Sequence, residues 1–236
     1  MATCPLCKGA GHLLRPDARF TGARKDASAM LVRCNVCGDG QQKEWIRRHC
    51  GMEPAEQEIR LLRWKDPNLA PELKAQRARV KTAMISAING RVGIATFWGD
   101  NGSGKTLALQ IIVNELRETR AVDGYYAPFV SILNHLRQSY GARDNTSAYW
   151  NRLLDVPALA VDEVTRFRIE NDWQQEQLFL LLDARYRRRT THLTMFATND
   201  DPQQALPPER GIGHLYSRMR DGTLFPLQGD VRGAEM

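Results

Sequence analysis

Gly99-Asp100-Asn101-Gly102-Ser103-Gly104-Lys105-Thr106 is the stretch whose reading decides the fold of this 236-residue chain. It fits G-x-x-x-x-G-K-[ST], the phosphate-binding P-loop. Its flanks fit as well: Ile94-Ala95-Thr96-Phe97-Trp98 reads as a buried strand, and residues 107–116 read as a helix. Three glycines allow a backbone tight enough to aim successive N–H groups at a polyphosphate. A helix opening at Lys105 adds its N-terminal partial positive charge. All eight residues are therefore candidate nucleotide ligands, with Lys105 reaching the β and γ phosphates and the Thr106 hydroxyl holding Mg²⁺. The expected ligand is a nucleoside triphosphate.

Working outward, strands and helices alternate from about residue 90, the pattern of a parallel sheet covered on both faces. Strands are expected at 94–98, 127–132, 158–161, 193–197 and 224–227. Helices are expected at 105–117, 133–140, 148–154, 173–187 and 214–220. Leu159-Ala160-Val161-Asp162-Glu163 has the form of a Walker B element, an apolar strand ending in two carboxylates 57 residues beyond Lys105. Asp162 is the expected Mg²⁺ carboxylate and Glu163 the group that polarises the attacking water. Ala197-Thr198-Asn199-Asp200 ends the next strand, where an amide at Asn199 is suited to orient that water; the alternative is an Asn-Asp turn leading into Pro202. Tyr216-Ser217-Arg218-Met219-Arg220 precedes the last strand. In a ring or filament, Arg218, with Arg220 in reserve, is placed to enter a neighbour's site and offset transition-state charge; the alternative is a surface arginine.

The front of the chain differs in kind. Residues 1–93 hold 17 Lys/Arg against 9 Asp/Glu, and the remainder 16 against 18. A basic front on a near-neutral body suits an anionic partner, DNA or an acidic protein surface, although a solvated basic face reads the same. Cys4-Pro5-Leu6-Cys7 and Cys34-Asn35-Val36-Cys37 are two C-x-x-C knuckles separated by 26 residues. Two such turns complete a tetrahedral site, so Cys4, Cys7, Cys34 and Cys37 are candidate ligands of a structural Zn²⁺ with no open position. His12, His49 and Cys50 are alternative ligands that four cysteines make unnecessary, and Cys50 reads as a small apolar residue in or near a helix. No apolar run reaches the length of a membrane span, and the N-terminus lacks a signal-peptide core, so no membrane partner and a cytoplasmic location are expected.

Between front and body, residues 44–64 carry helical signals broken near Gly51 and Pro54. Asp66-Pro67-Asn68 and Pro71 mark a hinge, and 73–88 reads as a helix with one basic half. The resulting organisation is a zinc-binding domain at 1–50, a helical linker at 51–88 and a nucleotide-binding domain at 89–236.

Assembled, these elements resemble the AAA+ ATPases, and within them the DnaC/DnaI-type replicative helicase loaders and the related IstB transposition ATPases. The residues that carry the resemblance are 99–106, 158–163, Glu176-Gln177-Leu178-Phe179-Leu180-Leu181-Leu182-Asp183-Ala184-Arg185-Tyr186, Phe196-Ala197-Thr198-Asn199 and Ser217-Arg218. They span about residues 75–230. The resemblance implies an α/β P-loop AAA+ core, with ATP and Mg²⁺ at a subunit interface and Arg218 acting in trans. The short stretch after the last strand leaves no room for a full C-terminal lid, as in loaders of this clade. The zinc front is unlike the all-helical front of DnaC and similar in kind to that of DnaI-type loaders, where it docks on the helicase.

Three readings of function follow. The first is an ATPase that loads a replicative hexameric helicase onto single-stranded DNA, with self-association into a ring or filament. The second is an IstB-like transposition regulator that wraps duplex DNA. The third is a DNA-stimulated ATPase that loads nothing.

Overall fold

A computed structural model describes residues 12–16, 29–33, 44, 47–63, 71–90, 92–120, 122–138, 145–164, 172–199, 201–202 and 213–229. The chain divides by its contacts into two units, Met1–His49 and Cys50–Met236. In the first, β1 (His12–Pro16) pairs antiparallel with β2 (Ala29–Arg33), His12 opposite Arg33 and Pro16 opposite Ala29.

The second unit is built on five parallel strands: β3 (Ile94–Gly99), β4 (Gly124–Pro128), β5 (Ala158–Asp162), β6 (Leu193–Thr198) and β7 (Thr223–Leu227). Their order across the sheet is β4-β5-β6-β3-β7. Parallel neighbours need crossovers, supplied here by α2 (Lys105–Arg120), α3 (Phe129–Gln138), α4 (Asn145–Asp155), α5 (Asp172–Arg187) and α6 (Gly213–Arg220), with α1 (Pro71–Ile88) ahead of β3. Strand side chains alternate between faces. Ala95, Phe97, Tyr126, Ala158, Ala160, Met195 and Ala197 share a core with α1 and α2. Ile94, Ala127, Leu159, Val161 and Phe196 share the other with α3 to α6. The expected α/β sheet with helices on both faces is what the chain forms.

The strand expected at 127–132 lies instead at Gly124–Pro128, and α3 starts at Phe129. Phe129, Ile132, Leu133 and Leu136 are all buried in one cluster, and their spacing of three, four and seven is helical. Pro128 closes the strand, and the aromatic pair Tyr125-Tyr126 supplies its β-forming residues.

Residues 50–63 form two single 3-10 turns, Glu56–Glu58 and Leu61–Arg63, rather than an amphipathic helix. The reason lies on α2. Asn114 Nδ2 donates to the carbonyls of Glu56 and Ile59, both at 2.8 Å, and Arg117 Nη2 donates to that of Gln57 at 2.9 Å. Those carbonyls are thereby spent on α2 instead of on an i→i+4 ladder. Gln110 to Glu56 at 2.8 Å and the two-pronged Arg60–Glu115 pair at 2.9 Å complete the clasp. Glu115 is thereby held below the usual carboxylate range, first by the Arg60 hydrogen bond. Cys50 is fully buried here, its sulfur 3.8 Å from Arg117 Nη1.

Arg185, also fully buried, donates to Leu154 O, Val156 O, Leu193 O and Thr194 Oγ1. It ties the end of α4 and the approach to β5 to the start of β6, and burial pulls its pKa down to about 10. No helix among the described residues is long and apolar enough to cross a membrane.

Candidate functional site

The eight residues of the P-loop connect β3 to α2 as the spacing predicts. Gly99, Gly102 and Gly104 have φ of +134°, +79° and +93°, values that only glycine adopts freely. A Cβ on Gly99 would stand 1.7 Å from the Leu227 carbonyl oxygen, so the loop leaves the sheet in direct contact with β7. Asp100 N donates to Leu227 O at 3.2 Å, and Asp100 Oδ2 accepts from Gly229 N at 3.0 Å, holding the loop's shoulder. Asp100, Asn101 and Thr106 are exposed, Gly102 and Gly104 half-buried, and Ser103 and Lys105 buried.

Lys105 is the telling side chain. Its Nζ donates to Gly99 O at 2.8 Å, Asp100 O at 2.6 Å and, at 3.4 Å, Ser103 Oγ. All three acceptors are neutral. Desolvation lowers its pKa, and the charges of Asp162, Asp100 and Glu163 only partly counter this. A buried ammonium curled onto its own loop without a hydrogen-bonded anion is stabilised by any anion that arrives. With the glycine cradle, that donor set fits a polyphosphate.

The sheet then fixes what faces the loop. In the parallel register Trp98 stands beside Thr198, so Asn199 emerges level with Gly99. Strand β6 lies between β3 and β5. Asn199, half-buried, therefore sits between the P-loop and the end of β5, where Asp162 and Glu163 lie. Asp162 is 3% exposed; its Oδ1 accepts from Glu163 N and its Oδ2 from the Tyr126 hydroxyl, both at 2.8 Å. Glu163 has φ of +55°, the single positive value at a non-glycine position among the described residues. Left-handed backbone costs an ordinary residue about 1–2 kcal/mol, and such cost concentrates at functional sites. The turn is locked by Val164 N donating to Ala197 O at 3.0 Å.

Arg218 belongs to the opposite end of the sheet. Four residues on, Gly222 packs against Ile94, the first residue of β3, whereas the P-loop follows the last. Six strand residues span about 20 Å, beyond the reach of one arginine side chain. Arg218 Nη2 donates to Asp183 Oδ1 at 3.2 Å, and its guanidinium carbon lies 4.6 Å from the Tyr186 ring centre. The Tyr186 hydroxyl in turn donates to Asp221 at 2.7 Å. Arg220, on the same helix, is exposed.

Sequence reasoning thus placed Asp162, Glu163 and Asn199 with the P-loop at one edge of the sheet, and Arg218 apart from them. It missed Tyr126 beside Asp162 and Asp183 beside Arg218; the β-favouring pair Tyr125-Tyr126 was the signal for the first. Cys4, Cys7, Cys34 and Cys37 lie outside the described residues. Among the described residues, no group of three or more His, Cys, Asp or Glu is placed to hold a metal.

No family model matches the chain. The uncharacterized protein YqaM of Bacillus subtilis (strain 168) is 33% identical over 138 residues, 56% of this chain and 42% of YqaM. The phage-like element PBSX protein XkdC of the same organism is 34% identical over 94 residues, 37% of this chain and 34% of XkdC. The chain thus spans less than half the length of either relative. Among solved structures, the DnaC helicase loader superposes with a TM-score of 0.59 at 17% identity, over 74% of this chain and 99% of that one. A putative primosome component from Streptococcus pyogenes serotype M3 gives 0.58 at 19% identity, over 84% and 100%. DnaA bound to AMPPCP and single-stranded DNA gives 0.56 at 20% identity, over 69% and 52%. At these identities the likeness is one of fold, a parallel α/β sheet covered by helices on both faces.

Proposed function

We propose that this chain is an ATPase of DNA replication that loads a hexameric helicase onto single-stranded DNA, working as an assembly of copies of itself. The observation that carries the reading is the P-loop edge of the sheet, where Lys105, Asp162, Glu163 and Asn199 converge. The match over nearly the whole of a helicase loader, and a DnaA neighbour bound to an ATP analogue and single-stranded DNA, support the choice of task.

In this reading the loop N–H groups and Lys105 bind the phosphates, Lys105 exchanging neutral carbonyls for phosphate oxygens. Thr106 and Asp162 are the residues to hold Mg²⁺, which when bound neutralises charge on the phosphate oxygens. Glu163 polarises the attacking water and Asn199 orients it. Arg218, out of reach of its own loop, serves the site of the next copy.

The front unit is assigned a structural Zn²⁺ held by Cys4, Cys7, Cys34 and Cys37, and contact with the helicase. The doubled C-x-x-C spacing of the sequence supports this assignment. About one zinc per chain is expected by metal analysis of protein purified without chelator. Zinc-free protein with an intact fold rejects the site.

The functional test follows fluorescent ATP binding, single-stranded and duplex DNA binding, and helicase transfer onto a closed single-stranded circle. The parent protein is expected to bind single-stranded DNA and transfer helicase only with ATP. Lys105→Ala is expected to weaken ATP binding roughly 30-fold or more, the worth of one or two charge-assisted hydrogen bonds, and to abolish transfer. ATP-dependent preference for duplex, with no helicase transfer, rejects loading in favour of the transposition-type reading.

A further inference from the structure

We propose that Tyr126 is a positioning residue for the metal-binding carboxylate Asp162, an inference that rests on the nucleotide site described under the proposed function. On β4 and β5, Tyr126 stands beside Ala160, and Pro128 beside Asp162. Tyr126 and Asp162 therefore share the sheet face that packs on the P-loop helix, one diagonal step apart. A phenol is long enough to cover that step, and its hydroxyl reaches Asp162 Oδ2 at 2.8 Å.

In this pair the phenol O–H is the donor and the carboxylate oxygen the acceptor. Glu163 N fixes the other carboxylate oxygen. With a fixed donor on each oxygen, the orientation of this buried carboxylate is set before any cation arrives, which is how outer groups tune a metal ligand.

Tyr126 is itself held from the far side. Its N–H donates to Cys50 O at 2.8 Å, where the edge of the sheet meets the start of the clasp. Gly51 next to it has φ of +77°, and a Cβ there would stand 2.1 Å from Tyr126 O. Only glycine lets the clasp lie this close to the strand. The clasp thus supports the station from which the phenol orients Asp162.

Tyr126→Phe removes the hydroxyl and keeps the ring that fills the core. Equilibrium binding of a non-hydrolysable fluorescent ATP analogue is titrated with and without Mg²⁺, with circular dichroism reporting the fold. Metal-free affinity is expected to stay within about twofold of the parent. The Mg²⁺ concentration that half-saturates the metal-dependent increase is expected to rise about ten- to a hundredfold, the range for loss of an outer partner of a metal ligand. Asp162→Asn is expected to raise it at least as much, and adding Tyr126→Phe to Asp162→Asn is expected to change nothing further. An effect of pure packing is instead the same in both backgrounds, and that result overturns the proposal. So does a parental Mg²⁺ midpoint in Tyr126→Phe while Asp162→Asn shifts it. If Asp162→Asn leaves the midpoint unmoved, the fault lies with the assignment of Asp162 itself, and Tyr126 loses its role with it.

Discussion

Arg218→Ala is expected to bind ATP within about twofold of the parent and to turn it over about 10³-fold more slowly, the lower bound for a missing arginine finger. The physical ground is distance. Arg218 lies at the end of the sheet where β3 begins, its own P-loop at the end where β3 stops, about 20 Å away by strand rise. In the proposed function, a guanidinium so placed offsets transition-state charge in another copy. Its present contacts do not forbid this. The bond to Asp183 is 3.2 Å long and the Arg218 side chain is 35% exposed, a class of ion pair worth only about 0.2–1 kcal/mol. The cation–π contact with Tyr186 adds on the order of 0.5–1 kcal/mol. Assembly can repay such amounts with a single charge-assisted hydrogen bond. Mixing separates the mechanisms. Arg218→Ala and Lys105→Ala, each inactive alone, are expected to recover part of the parental rate together, because one keeps the site and the other keeps the finger. A mixture that stays inactive, with both proteins folded and assembling, moves the assignment to Arg220.

Glu163→Gln is expected to retain ATP, with turnover reduced by about 10²–10⁴-fold, the usual contribution of a positioned general base. Glutamine keeps the volume and removes the charge, so the φ of +55° at this position is no more strained than in the parent. Phosphate release in single-turnover experiments reads the chemical step, and a filter-bound nucleotide assay reads retention. Normal single-turnover release in Glu163→Gln assigns the water to a different group. The two variants are also expected to differ from each other: Glu163→Gln is expected not to complement Lys105→Ala, because both lesions lie within one site, whereas the proposal puts Arg218 at the site of another copy.

What the sequence determined by itself is local. The P-loop was legible because its function is performed by main-chain N–H groups and three left-handed glycines, which leave a fixed spacing in the letters. The carboxylates at 162 and 163 and the polar residue at 199 were legible because buried parallel strands read as apolar runs, and the polar residues that follow each run mark the edge of the sheet. The β4 boundary was misread because an apolar run before a helix has no period of its own; only the spacing of Phe129, Ile132 and Leu136 decides it.

The tertiary structure decided everything that depends on which strands are neighbours. Placing β6 between β3 and β5 puts Asn199 between phosphate and carboxylates. The 50–63 segment lost its helix to Asn114 and Arg117, whose donors lie more than 50 residues away in sequence. Tyr126 meets Asp162 across 36 residues, and Arg218 meets Asp183 across 35. Such pairs leave no mark on local periodicity, because their energy comes from burial and hydrogen bonding that exist only once the sheet has formed.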